Sequence, residues 1–344
     1  MISALPLLPT SVVGSHAKTG WWYLVRQEAE AGRLGPADLQ EALDTATDIA
    51  ILDQERAGVD IVTDGEMRRT GGFYRTYYSR IHGIHILPPD RRLGESGYDT
   101  HLVPEVTAKI TAPEGLGIAR EFAYLKAHTA RNTKVTCTGP TTFATAVRIK
   151  GGYRDQKELA WDFVSIINKE LKALVAAGAD FVQVDEPAYS ELHKDGKELA
   201  EIVNATVSGV QAKIAMHICF GNHRARPQVK RTYRKLFPGL LDAHVHQFVL
   251  EFANREMAEI DLWKEVGARK ELGAGLVDQK SFYLETPEDV AERIRLALKY
   301  VPSDKLWINP DCGFNPTPRW VALAKLKAMV EGTKIVRKEL GVNA

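Results

Sequence analysis

Eight short apolar segments, separated by longer stretches of mostly helical spacing, constrain this chain more than any other feature. They are Ser11–Ser15, Asp60–Glu66, Lys134–Pro140, Phe181–Pro187, Lys213–Cys219, His246–Phe252, Glu271–Asp278 and Leu306–Phe314. Most are rich in Val and Ile and lack polar alternation, the pattern of strands covered on both faces. Helical spacing runs through Pro36–Ala57, Tyr153–Ala177, Lys197–Gln211, Asn254–Val266, Thr286–Val301 and Arg319–Leu340, and Gly58 and Gly178 stand where two of these helices must stop. Strand and helix alternating eight times give a parallel sheet. An open doubly wound sheet is the competing arrangement. The count of eight, and the lack of Gly-x-Gly-x-x-Gly in the first strand–helix turn, favour a closed (β/α)8 TIM barrel. The chain is therefore expected to form one barrel over residues 1–344. Residues 68–132 are too long for one crossover and are read as an insertion after strand 2 over the barrel mouth. That insertion holds Phe73, Tyr74, Tyr77 and Tyr78 and a charged helix near Leu116–Ala130.

Composition narrows the function. At 344 residues the chain buries roughly three quarters of its unfolded surface and needs no metal or disulfide to fold. Its 45 Lys and Arg against 44 Asp and Glu argue against nucleic acid as a partner. A basic run at Arg224, Arg226, Lys230, Arg231, Arg234 and Lys235 reads as a solvated face. Three cysteines suit a reducing compartment, and Met1–Thr10 has no basic region of the kind that opens a signal peptide. No uncharged run approaches the roughly 20 residues of a membrane span. The expectation is a cytoplasmic protein whose metal, if it binds one, serves chemistry.

Most of the apolar segments end in polar or reactive residues: Ser15-His16, Asp64-Gly65-Glu66, Asp185-Glu186, His217-Ile218-Cys219, Glu251, Asp278 and Asp311-Cys312. In a barrel these ends share one rim and converge on one pocket. His217 and Cys219, two apart on a strand, point the same way and form a clamp for a borderline ion such as zinc. Packing in the core is the plainer reading of that pair. Cys312 at another strand end, and Glu251 in an otherwise apolar run where an unpaired carboxylate is costly, favour a four-ligand metal site. Cys137, inside a strand, reads as barrel lining.

Ser11-Val-Val-Gly-Ser15, Asp64-Gly-Glu66, Gly139-Pro-Thr-Thr142, Gln183-Val-Asp185-Glu-Pro187, His217-Ile-Cys219, Glu251 and Pro310-Asp-Cys-Gly313, in this order along essentially the whole chain, resemble the C-terminal catalytic barrel of cobalamin-independent methionine synthase. The resemblance implies a catalytic zinc on the residues matching His217, Cys219, Glu251 and Cys312. It also implies homocysteine held near Ser15, Glu66 and Asp185, the carboxylates on its ammonium and Ser15 on its carboxylate. The implied reaction moves a methyl group to the homocysteine thiolate. The full-length folate-dependent enzyme is a tandem of two barrels and this chain has one, so the donor is left between methyltetrahydrofolate and a methylcobamide, the latter carried by a corrinoid protein. The alternative acceptor is another thiol such as coenzyme M.

Overall fold

The computed structural model describes residues 4–87, 103–188, 195–221, 230–315 and 317–342. Arg224 and Arg226 of the basic run, and residues 88–102 of the expected insertion, lie outside them. Eight parallel segments close into a ring. Six form one sheet in the order β11 (Leu306–Pro310), β10 (Glu271–Val277), β9 (Gln247–Glu251), β8 (Lys213–Ile218), β7 (Phe181–Asp185) and β5 (Val135–Thr138). β1 (Ile61–Val62) pairs in parallel with β4 (Asn132–Thr133), and Lys134, which joins β4 to β5, donates its N–H to Val62 O. Thr10 and Ser11 bridge Ile308 of β11 on one side and Ile61 of β1 on the other, which completes the circle. This is the predicted (β/α)8 barrel.

The observed strands are shorter than the apolar segments, mostly at their C-terminal ends. Asp64–Glu66, Glu186–Pro187 and Asp311–Phe314 leave the ladder and turn inward at the rim. Helix boundaries follow local signals. α2 (Pro36–Ala57), which comes after α1 (Gly20–Glu30), opens on a proline and ends at Gly58 with φ 85°. α3 (Ile118–Ala127), α4 (Pro140–Thr145), α5 (Gln156–Ala176) and α6 (Gly196–Thr206) come next. α8 (Pro287–Ala297) starts with a reciprocal capping box between Thr286 and Asp289, and α9 (Arg319–Glu339) closes the outer ring.

The expected helix Asn254–Val266 is a correction. Only α7 (Trp263–Val266) is α-helical there, preceded by 3-10 turns at Ala253–Arg255 and Ile260–Leu262. The Asp311 carboxylate accepts the backbone N–H groups of Phe252, Ala253 and Asn254 at 2.7–2.9 Å, and Glu256, Met257 and Glu259 take positive φ. A helix cannot run through residues so held.

Between β1 and β4 lie a 3-10 turn (Arg75–Arg80), an antiparallel pair β2 (His82–Leu87) and β3 (Val103–Thr111), and α3. The far edge of β3 pairs with β6 (Arg148–Ile149).

Strand alternation sorts the barrel side chains. Val182, Val184, Ile214, Met216, Ile218, Phe248 and Leu250 pack in the large cluster with the helices, while Val13, Ile61, Phe181, Ala215, Val249 and Trp307 form a separate cluster inside the ring. Above that apolar floor sits a polar layer. Lys134 Nζ donates to Val12 O at 2.5 Å and Gln183 Oε1 at 2.7 Å, and Gln183 Nε2 donates to Val13 O and to Asp185 Oδ1. Cys137 belongs to the outer layer, contrary to the expectation that it lines the barrel. Its neighbour Thr136 is the inward residue, reaching Glu66.

Candidate active site

Counting upward from the inner floor places the reactive side chains. Asp185 is two inward positions above Phe181 on β7, His217 one above Ala215 on β8 with Cys219 next, and Glu251 one above Val249 on β9. Cys312 enters from the turn after β11. A ligand atom from each of His217, Cys219 and Cys312 lies within 4.8 Å of the others, and His217 Nε2 is 3.9 Å from Cys312 Sγ. His217 Nδ1 lies 3.0 Å from the Val249 carbonyl oxygen, which fixes the ring with Nε2 toward the sulfurs.

The charges in this trio are interdependent. A hydrogen bond from Cys219 holds the Cys312 thiol well below its ordinary pKa against the opposing effect of burial, and His217 helps. Cys219 is pushed up by the same hydrogen bond and by burial. Burial works against charge on His217, but Cys312, Asp185 and Glu251 outweigh it and raise the imidazole above its usual value.

Glu251, the fourth expected ligand, is not part of that trio. Its carboxylate is fully buried and engaged by three donors: Phe220 N–H donates to Oε1, Asn254 Nδ2 donates to Oε2, and Lys280 Nζ donates to Oε2 at 2.6 Å. Asn254 Nδ2 also donates to Asp311 Oδ2 at 2.7 Å, so one amide ties the two carboxylates together. Burial lifts Asp311 to about 7, with the Glu251 charge adding to it. Lys280 is held above its usual range because the Glu251 charge outweighs its own burial.

Ser15, Glu66, Asp185, His217, Cys219 and Cys312 all line one cavity of about 430 Å³. Glu66 sits at φ 56°, a conformation sparsely populated by residues with a side chain, and its N–H is bonded to Asp64 Oδ1. Its carboxylate meets Arg69 Nη1 and Thr136 Oγ1, both at 2.9 Å. Burial raises Asp185 to about 7, while nearby His217 pulls the other way. Ser15 is pressed against Gly313, where a Cβ would stand 2.0 Å from Ser15 Oγ, so the chain after Cys312 closes over it only as glycine. Phe314 N–H donates to Ser15 O at 2.7 Å.

Other rim residues prove structural. Glu186 is fully buried and accepts the N–H groups of Thr141 and Thr142 at the start of α4. His16 pairs with Asp53, which Arg319 also holds. Two buried cations are not evident from the sequence. Lys18 lines the cavity, donates to Arg69 O at 3.2 Å and lies 4.2 Å from the Trp22 ring centre, and burial lowers its pKa to about 8. Lys280 braces Glu251. In the sequence both are lone lysines next to a strand end, and only burial separates them from surface lysines. No described helix is long and apolar enough to cross a membrane.

Residues 8–335 match the family model for the catalytic domain of cobalamin-independent synthase. The chain is 40% identical over 342 residues to a methionine synthase of Saccharolobus solfataricus, covering 98% of each, and 38% identical to a methionine synthase of Sulfurisphaera tokodaii over 98% of this chain and 94% of that one. A solved B12-independent methionine synthase from a Shewanella species, in complex with selenomethionine, superposes with a TM-score of 0.83 at 28% identity, covering 97% of this chain and 99% of that one. A methyltransferase from Methanosarcina mazei shares the fold, with a TM-score of 0.61 at 16% identity. With the barrel, the rim cluster and these likenesses in agreement, the chain belongs to the family of cobalamin-independent synthase catalytic domains.

Proposed function

We propose that the chain transfers a methyl group to the sulfur of homocysteine, giving methionine. The observation that carries this reading is that one cavity holds both the His217–Cys219–Cys312 trio and the carboxylates Glu66 and Asp185. The trio fits zinc: bonds of ~2.1 Å to nitrogen and ~2.3 Å to sulfur in a tetrahedron put the two ligand atoms roughly 3.6 Å apart, against 3.9 Å between His217 Nε2 and Cys312 Sγ. The trio would hold zinc, with Glu251 as its proposed fourth and displaceable ligand, and the positive charge would lower the pKa of an incoming thiol so that its proton is released to water at neutral pH. Asp185, held by Gln183, and Glu66, held by Arg69 and Thr136, receive the substrate ammonium. Ser15 and Lys18 receive its carboxylate. The substrate is thus gripped at both ends of its amino-acid head, with its sulfur delivered to the trio. The new S–C bond forms as the bond from methyl to donor breaks, and positioning in the cavity supplies much of the rate. The donor is methyltetrahydrofolate or a methylcobamide on a corrinoid protein, and the enzyme works in the cytoplasm as one barrel whose 68–132 segment covers the mouth. Gly71–Arg75 from that segment line the cavity.

The test is a screen of both donors with homocysteine and with coenzyme M, on the wild-type chain and on Asp185→Asn. Methionine is expected from homocysteine, with kcat/KM for homocysteine falling about 10- to 100-fold in the variant, the loss of one charged hydrogen bond. A sulfonate thiol has no ammonium for Asp185. Turnover of coenzyme M alone, unchanged in Asp185→Asn, overturns the homocysteine reading.

A further inference from the structure

We infer that Lys280 is a positioning residue that competes with a metal on the His217–Cys219–Cys312 trio for the Glu251 carboxylate, so that Glu251 gives up its coordination position readily to the incoming thiol; this rests on the zinc reading above. Glu251 shares the inward face of the barrel with Val249, next to the strand that carries His217 and Cys219. From there the carboxylate is held by a station of three donors converging on it: Lys280 Nζ, Asn254 Nδ2 and the Phe220 N–H. Two of these are neutral. Lys280 is the one formal charge among them, 6% exposed against a fully buried Glu251, and in such surroundings an ion pair is weakly screened. Phe220 donates through its backbone and Asn254 also holds Asp311, whereas the Lys280 side chain, from the end of the neighbouring β10, is a charged donor that a substitution can remove. The cation is therefore the separable part of the station.

Site openness is the chemical consequence. A metal site with four protein ligands is closed, and one with three admits substrate. With Lys280 in place Glu251 is an easily displaced ligand. Without it, the carboxylate loses its charged partner, and the positive metal becomes the best one remaining.

The experiment compares the full-length wild type with Lys280→Met and Lys280→Arg, measuring zinc affinity by competition with a chromophoric chelator and homocysteine binding on the zinc-loaded proteins. Melting curves confirm that each variant is folded. Lys280→Met is expected to bind zinc about tenfold more tightly, the lower end of what outer contacts of a metal ligand change in affinity but of opposite sign, because this contact competes with the metal, while its KM for homocysteine rises more than its kcat falls. Lys280→Arg restores wild-type behaviour on both readouts. A double variant Lys280→Met with Glu251→Gln loses the gain in zinc affinity. Merely structural damage lowers zinc affinity instead, so unchanged or weaker zinc binding in a folded Lys280→Met, with stoichiometric zinc in the wild type, overturns the role of Lys280 alone. A wild type that takes up no zinc overturns this inference together with the zinc reading beneath it.

Discussion

At the single side chain Lys18, burial would make the proposed substrate binding sensitive to pH. Its pKa of about 8 is depressed by burial, so the ammonium is present below that pH and lost above it. Recognition of a carboxylate by Lys18 therefore weakens as pH rises through 8. The KM for homocysteine should climb by about tenfold over that rise, the scale of one charged hydrogen bond. In Lys18→Met the KM should already be high near pH 7 and should lack this step. Profiles of KM against pH for the two proteins check it, and parallel curves rule Lys18 out of substrate binding. At this scale the sequence is informative wherever spacing alone decides direction. His217 and Cys219 share a face because they are two apart on a strand, and Cys312 stands out as one of three cysteines, at a strand end. Glu251 is legible as an anomaly but its surroundings are not, since Lys280, Asn254 and Phe220 converge on it from three places in the chain. Arg69, fully buried beneath Glu66, reads in the sequence only as an ordinary ion-pair partner.

Elements read well when their ends are set locally and badly when a distant group sets them. α2 begins and ends where Pro36 and Gly58 say it must. The expected Asn254–Val266 helix fails because a carboxylate from the turn after β11 takes its first amides, and nothing within that segment announces it. The short α4 escapes sequence reading for the same reason: its N-terminal amides are satisfied by Glu186 from the end of β7. This contact makes a demand on Gly139, since a Cβ there would stand 2.3 Å from the Glu186 carboxyl carbon and one of its oxygens. Gly139→Ala is expected to destabilise the protein by about 1–3 kcal/mol, the cost of overpacking a filled site. It should also disturb Thr142, which lines the cavity. Urea denaturation measures the first effect, and a neutral result refutes the account of how α4 is anchored.

The whole molecule separates what folds it from what makes it react. Its large core and inner floor are apolar, and the His217–Cys219–Cys312 trio lies above them at the rim. Chelation should therefore abolish methyl transfer and lower the melting temperature while leaving the secondary structure intact, with activity restored by zinc. The stabilisation lost is about 4 kcal/mol if zinc was present at a thousand times its dissociation constant. Far-UV dichroism and melting curves with and without chelator test this, and collapse of the fold on chelation contradicts it. The ring itself is sewn shut by few bonds: Ser11 N–H to Ile308 O at 2.9 Å, Ile61 N–H to Thr10 O at 3.1 Å, and Asp60, which gathers Thr10 and Arg337. His217 and Cys312 stand 95 positions apart along the chain, at the ends of strands three places apart in one curved sheet. Under the zinc reading, a shared grip on an ion would gauge how tightly that sheet curls: an arc left too flat would hold metal poorly before any probe of helix content registers a fault.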